Sequence, residues 1–212
     1  MAEAPPQSGN HHTPPRHLRI NAPSPWIVRF APLIKKGGTV LDLAAGGGRH
    51  SRHLVSLGLK VTAVDKSVEP LAGIDAEIIT ADLEDGGPWP FEGRTFDGIV
   101  VTNYLYRPTL ENLIANLAPG GVLIYETFAR GNEQFARPRN PDHLLKSGEL
   151  LELVRGRLQV VAYEHGQKDS QPLPGVVQRI CAVNDLATDG EEPPFHRTTP
   201  DRTREVVEMK GE

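Results

Sequence analysis

Two carboxylates and a glycine cluster carry most of the chemical information in this chain. Asp42 sits in the apolar run Val40-Leu41-Asp42-Leu43 and is followed by Ala44-Ala45-Gly46-Gly47-Gly48. Asp65 closes a second run, Val61-Thr62-Ala63-Val64. Short apolar runs bounded by glycine and charge read as buried strands. A strand, a glycine turn, a helix and a second strand tipped with a carboxylate is the layout of a nucleotide-ribose binding unit. The glycines let backbone approach a ligand closely, because no Cβ intervenes. Asp65 can accept hydrogen bonds from both hydroxyls of a ribose, each strengthened by its charge.

Asp42 separates two possible ligands. A carboxylate inside an apolar strand is costly if dry and unpaired, so it is expected to meet either loop amides or a cationic ligand. A dinucleotide site wants G-x-G-x-x-G; Gly46 and Gly48 fit, but Ser51 stands at the third glycine position. That reading also gives Asp42 no role. S-adenosyl-L-methionine supplies the missing cation, since its methionyl end carries an ammonium beside a sulfonium.

The elements that must position these groups alternate between strand and helix. Ser24-Pro25 opens a short helix through Ile34. Strands are predicted at 39–43, 60–65, 76–82, 96–102 and 122–128, with a helix from Arg49 to Leu57 stopped by Gly58. A helical turn is predicted near Ser67. A further helix is predicted over 109–118, where Leu110, Leu113, Ile114 and Leu117 share a face before Pro119-Gly120-Gly121. Residues 129–146 read as a long polar loop, and Ser147 as the cap of a helix to about Val154. The last runs, 158–164 and 176–183, have no helix between them and therefore pair antiparallel. The expectation is an α/β fold: a seven-stranded mixed sheet of five parallel strands plus a terminal antiparallel pair, with helices on both faces. The domain spans 24–185, between a Pro-rich arm at 1–23 and a polar tail at 186–212 too poor in apolar residues to order.

Composition sets the class. The chain has 212 residues, 38% hydrophobic and 24% charged, enough for one globular domain with a real core. A net charge of −4 argues against nucleic acid as the obligatory partner, because phosphate binding leans on clustered Lys and Arg. The single cysteine, Cys181, lies in an apolar run, reads as buried and suits a reducing cytoplasm. No apolar run reaches the roughly 18 residues that span a bilayer.

In these motifs the sequence resembles the class I S-adenosylmethionine-dependent methyltransferases over about residues 24–185. VLDLAAGGG looks like their first motif, with Ala44 in place of the first glycine. VTAVDKS looks like the second, TADLED the third, and LAPGGVLIYETF the helix-turn-strand before their terminal hairpin. The resemblance implies a Rossmann-like fold and cofactor contacts from Asp42, Ala44, Gly46, Gly48, Asp65, Lys66, Asp82, Leu83 and Asn103. Asp65 would hold the ribose, Asp82 the adenine amino group, and Leu83 would present its backbone to the ring.

The acceptor side is less specific. Asn103, Tyr104, Tyr106 and Arg107 follow the strand at 96–102, at the carboxyl edge where α/β sheets bind ligands. The stretch ETFARGNEQFARPRNPDHLL is similar to one in small bacterial methyltransferases of the tellurite-resistance type and their uncharacterised relatives. Phe135, Arg137, Arg139 and Asn140 are lid candidates there, with Tyr104, Tyr106, Arg107 and Arg137 as substrate-binding residues. Trp26 and Phe30 either cover the cofactor or pack in the core, the latter being favoured. Arg49, at a helix N-terminus, lies near where the cofactor carboxylate would sit. His50 and His53, three apart, read as packed or solvated rather than as metal ligands. No catalytic base is identified, and a displacement from a sulfonium needs positioning above all. The expected function is methyl transfer to a small molecule. RNA or protein as acceptor, a non-catalytic cofactor-binding subunit and an NAD-dependent oxidoreductase are the alternatives.

Overall fold

The computed structural model describes residues 20–168 and 175–185. The expected arm, apart from residues 20–23, and the expected tail lie outside these. Helix α1 (Pro25–Phe30) runs on into a 3₁₀ turn (Ala31–Leu33) and is capped by the Ser24 hydroxyl, which accepts from the Trp26 amide. Then come β1 (Thr39–Leu43), α2 (Arg49–Ser56), β2 (Lys60–Asp65), β3 (Glu77–Thr80) and β4 (Phe96–Thr102). The chain continues through α3 (Leu110–Ala115), β5 (Leu117–Phe128), α4 (Glu149–Val154), β6 (Gln159–Lys168) and β7 (Gly175–Val183).

The seven strands form one sheet in the order β3-β2-β1-β4-β5-β7-β6. The first five are mutually parallel, and β7 lies antiparallel between β5 and β6. This is the mixed seven-stranded sheet expected from sequence. Alternation along the strands divides the core into two layers. Val40, Val100 and Ile124 face one way, against Trp26, Ile27 and Phe30 of α1 and Leu54 of α2. Leu41, Leu43, Ile99, Val101 and Leu123 face the other way, against Leu110 and Leu113 of α3 and Leu150 and Leu153 of α4.

Several boundaries differ from the sequence reading, and for β5 and α3 the reason is nonlocal. Strand β5 starts at Leu117 and runs through Pro119-Gly120-Gly121, because Gly120 and Gly121 exchange backbone hydrogen bonds with Asn184 at 2.7 and 2.8 Å. Helix α3 stops at Ala115. Its end residue Asn116 is drawn away, with its side-chain amide donating to the carbonyls of Phe91 and Arg94. Helix α4 is capped by left-handed Gly148 (φ 75°) rather than by Ser147. Strand β3 is shorter than the predicted 76–82. The predicted loop at 129–146 contains two 3₁₀ turns, Asn132–Gln134 and Pro141–His143.

Candidate cofactor site and acceptor edge

The expected carboxylates stand on neighbouring strand ends. Asp42 lies in β1, Asp65 ends β2, and Asp82 follows β3 by two residues; these strands are adjacent in the sheet. Pairing sets Leu43 beside Val64 and Asp65 beside Thr80, so the three groups line one stretch of the carboxyl edge.

Asp65 builds the glycine turn. Its Oδ2 accepts from the Gly46 amide at 2.8 Å and its Oδ1 from the Ser67 amide at 3.0 Å. The turn runs through left-handed backbone at Ala44 (φ 54°), Gly46 (φ 56°) and Gly48 (φ 72°). Gly48 has a second constraint: a Cβ there would meet Ile74 Cδ1 at 2.5 Å and Leu71 Cδ2 at 2.8 Å. Arg52 braces the turn from outside, donating to the carbonyls of Gly47 and Pro70.

Asp42 is 1% exposed, and the protein group that meets it is Ser51 in the first turn of α2. The Ser51 hydroxyl donates to Oδ2 at 2.5 Å, so the residue that spoils the third dinucleotide glycine is the one that steadies the buried acid. Oδ1 is buried without a hydrogen-bond partner. Burial pushes the carboxyl up to about 6, against the opposing pull of Ser51 and the Arg49 charge. Ser51→Ala is expected to cost about 1–3 kcal/mol at pH 8, because it strands a buried anion. The loss should shrink at pH 5, where Asp42 is protonated. Denaturant unfolding at the two pH values measures both.

His50 is 2% exposed and ties three elements together. Its Nε2 accepts from the Ser24 amide at 3.2 Å, which leaves the proton on Nδ1, facing Thr102 Oγ1 at 3.0 Å. Burial first, and then the Arg49 charge, hold it near 3, so it is a neutral tether between α1, α2 and the end of β4. Among the described residues no group of three or more His, Cys, Asp or Glu could hold a metal ion. Trp26 and Phe30 are core residues on the α1 face, the Trp26 indole donating to the Ile180 carbonyl at 3.2 Å. Arg49 donates to the Ala22 carbonyl at 3.2 Å, with the charges of Glu126 and Asp42 close by. Sequence reasoning missed Glu126, which is 2% exposed at the end of β5 and pairs with Lys168 at 3.5 Å and Arg179 at 3.3 Å.

Asp82 is exposed and caps its own turn, accepting from the Glu84 amide at 3.0 Å. With Lys66, Leu83, Trp89 and Tyr106 it lines a cavity of about 800 Å³. At the exit of β4, Asn103 is exposed and left-handed (φ 54°), a conformation that asparagine tolerates. Tyr104 packs half-buried on the α3–α4 layer, and its phenol is held well above the usual range by burial and by Glu84.

Arg107, expected to reach the substrate, is committed elsewhere. It forms a two-pronged pair with Glu149 (2.7 and 3.0 Å) and donates to the carbonyls of Asp142 and Leu144. It thus clamps the segment after β5 against α4 and the exit of β4. That segment carries Phe135, Arg137, Arg139 and Asn140, all exposed, although the Asn140 side chain is engaged in capping Asp142. Arg107→Ala should free residues 130–148, seen as faster limited proteolysis there.

A model of a family described as a methyltransferase domain matches residues 16–171. The chain belongs to this family. The match extends from before α1 through β6, so it takes in all the residues expected to hold the cofactor. One curated relative, a demethylmenaquinone methyltransferase of Clavibacter sepedonicus, is 31% identical over 153 residues, covering 65% of this chain. The chain spans 60% of that relative's length. Among solved structures, TehB from Haemophilus influenzae superposes with a TM-score of 0.60 at 20% identity, over 74% of this chain and 61% of that one. A Burkholderia thailandensis 1,6-didemethyltoxoflavin-N1-methyltransferase, with bound 1,6-didemethyltoxoflavin and S-adenosylhomocysteine, gives 0.51 at 20% identity, over 75% and 76%. These likenesses are of fold, and they match the class I methyltransferase architecture found here.

Proposed function

We propose that this methyltransferase domain uses S-adenosyl-L-methionine and methylates a small-molecule acceptor. The observation that carries the cofactor is the buried, unpartnered Oδ1 of Asp42 beside the glycine turn that Asp65 holds open. An anion so placed asks for a cation, and the residues present fit this cofactor. Asp65 would take the ribose hydroxyls, Asp82 and Leu83 the adenine, and Asp42 the ammonium, with Ala44, Gly46 and Gly48 giving backbone access. Lys66 and Asn103 would flank it. When bound, the cofactor supplies a methyl group on a sulfonium, itself an excellent leaving group.

The chain's own part is to orient the acceptor and exclude water, which can lower a barrier by about 7–11 kcal/mol. Tyr104 stays protonated, since its phenol is held up, and so is not the group that takes a proton. Tyr106 and Arg137 would face the acceptor, while Arg107 positions the segment that bears Arg137. A clamped segment at the carboxyl edge supports a small acceptor, because it narrows the approach a macromolecular surface would need. Two relatives named above act on small molecules by their names, which supports the same choice. The Cys181 thiol is pushed up to about 12 by burial and takes no part in the chemistry, and a lone cysteine with no disulfide partner supports the cytoplasm as the site of action.

Transfer of labelled methyl from the cofactor into a fractionated cell extract tests the reading. Label is expected in the small-molecule fraction. Label confined to RNA or protein would replace the acceptor class.

A further inference from the structure

The connection from β3 to β4 is unusual for a parallel crossover, because residues 81–95 form turns and no helix. Aromatic rings cover that part of the sheet instead. Trp89, Phe91 and Phe96 pack edge to face, with centroids 5.3 and 5.7 Å apart in sequence. The Trp89 indole N–H donates to Asn116 Oδ1 at 2.7 Å, and the Asn116 amide in turn donates to the carbonyls of Phe91 and Arg94. The indole is therefore fixed by a side chain from the end of α3. Its ring lines the same cavity of about 800 Å³ as Asp82 and Leu83. This volume is that of an ordinary small-molecule pocket, and flat rings are favoured against its aromatic wall.

We propose that Trp89 is a nucleobase-stacking residue, with the purine of the cofactor lying against the indole and its amino edge on Asp82. The inference rests on the cofactor reading above and extends it to a residue outside the four motifs. Stacking of a base on an aromatic ring is tolerant of ring type but not of its loss. Trp89→Phe should therefore keep binding and Trp89→Ala should lose it.

The chain has two tryptophans, and Trp26 is buried in the opposite core layer, so the part of the emission change that Trp89→Phe removes reports on Trp89. Titration of the full chain with S-adenosylhomocysteine should change tryptophan emission in the wild type, and most of that change should be lost in Trp89→Phe. By calorimetry, Trp89→Phe should bind within about threefold of wild type. Trp89→Ala, if its thermal melt shows it folded, should bind about tenfold weaker or worse. Wild-type affinity in Trp89→Ala would overturn the proposal, as would an emission change of undiminished size in Trp89→Phe. So would a raised KM for the methyl acceptor with S-adenosylhomocysteine affinity intact, which would hand the cavity to the acceptor. A folded wild type that fails to bind S-adenosylhomocysteine removes the cofactor reading as well, and so separates the two failures.

Discussion

Asp65→Ala is expected to weaken S-adenosylhomocysteine binding at least ~100-fold in a calorimetric titration. The carboxylate already accepts from the amides of Gly46 and Ser67. A carboxylate has about four acceptor positions, so roughly two remain for ribose hydroxyls. Each charge-assisted bond is worth about 1.5–3 kcal/mol, and losing two accounts for a factor of ~10² or more. The substitution also removes the acceptor that holds the glycine turn, so the thermal melt should fall as well. Asp65→Asn separates the effects: its single oxygen can serve one amide, and its NH₂ meets donors, so intermediate affinity is expected. Binding of Asp65→Ala within fivefold of wild type would contradict the assignment.

Asp42→Asn is expected to change stability and binding in opposite directions. The folded carboxyl lies at about 6, up from 3.8, chiefly by desolvation. An acid raised in the folded state holds its proton more tightly there, so its favourable contribution is complete below 3.8 and is lost as pH rises through 6. About two pH units at 1.36 kcal/mol each put that loss near ~3 kcal/mol at pH 8. The neutral amide avoids this loss, so the variant should gain on wild type as pH rises from 4 to 7. His50 works in the opposite direction. Its folded value near 3 means that stability is lost as pH falls from 6.5 toward 3. The wild-type curve alone therefore mixes two opposing slopes, and the difference between variant and wild type isolates Asp42. The same variant gives up the anion that meets the cofactor's ammonium and should bind S-adenosylmethionine about tenfold weaker or worse. Chemical unfolding at several pH values with parallel calorimetry measures both effects. A flat stability difference would show that Asp42 is not the buried anion this account requires.

The strand skeleton was legible because each strand is a compact apolar run bracketed by glycine or charge. Thr39–Leu43, Lys60–Asp65 and Phe96–Thr102 have the extents read from sequence. The antiparallel closing pair was legible from what is absent between its two runs. The errors at β5 and α3 fell where a distant residue decides the outcome. Pro119-Gly120-Gly121 looks like a stop until Asn184 pairs with it, and the periodicity of 109–118 runs past the point where Asn116 turns toward Phe91 and Arg94.

At the site, the positions of Asp42 and Asp65 could be read, but their partners could not. Ser51 carried a signal, since it lies in the first turn of α2 and nine residues after a buried acid, yet its hydroxyl reads from sequence only as a missing glycine. Arg107 looked like a substrate ligand because nothing in TNYLYRP announces Glu149, which lies 42 residues away. Trp89 sits between two prolines in a stretch that reads as loop, and only its place beside Asp82 gives it a role.

The most direct measurement is a calorimetric titration of the full chain with S-adenosylmethionine, S-adenosylhomocysteine and NAD, singly and in competition. Micromolar binding of the first two, mutually exclusive and undisturbed by NAD, is the predicted result. A folded chain that binds NAD at this site, or neither sulfur nucleoside, would contradict the account.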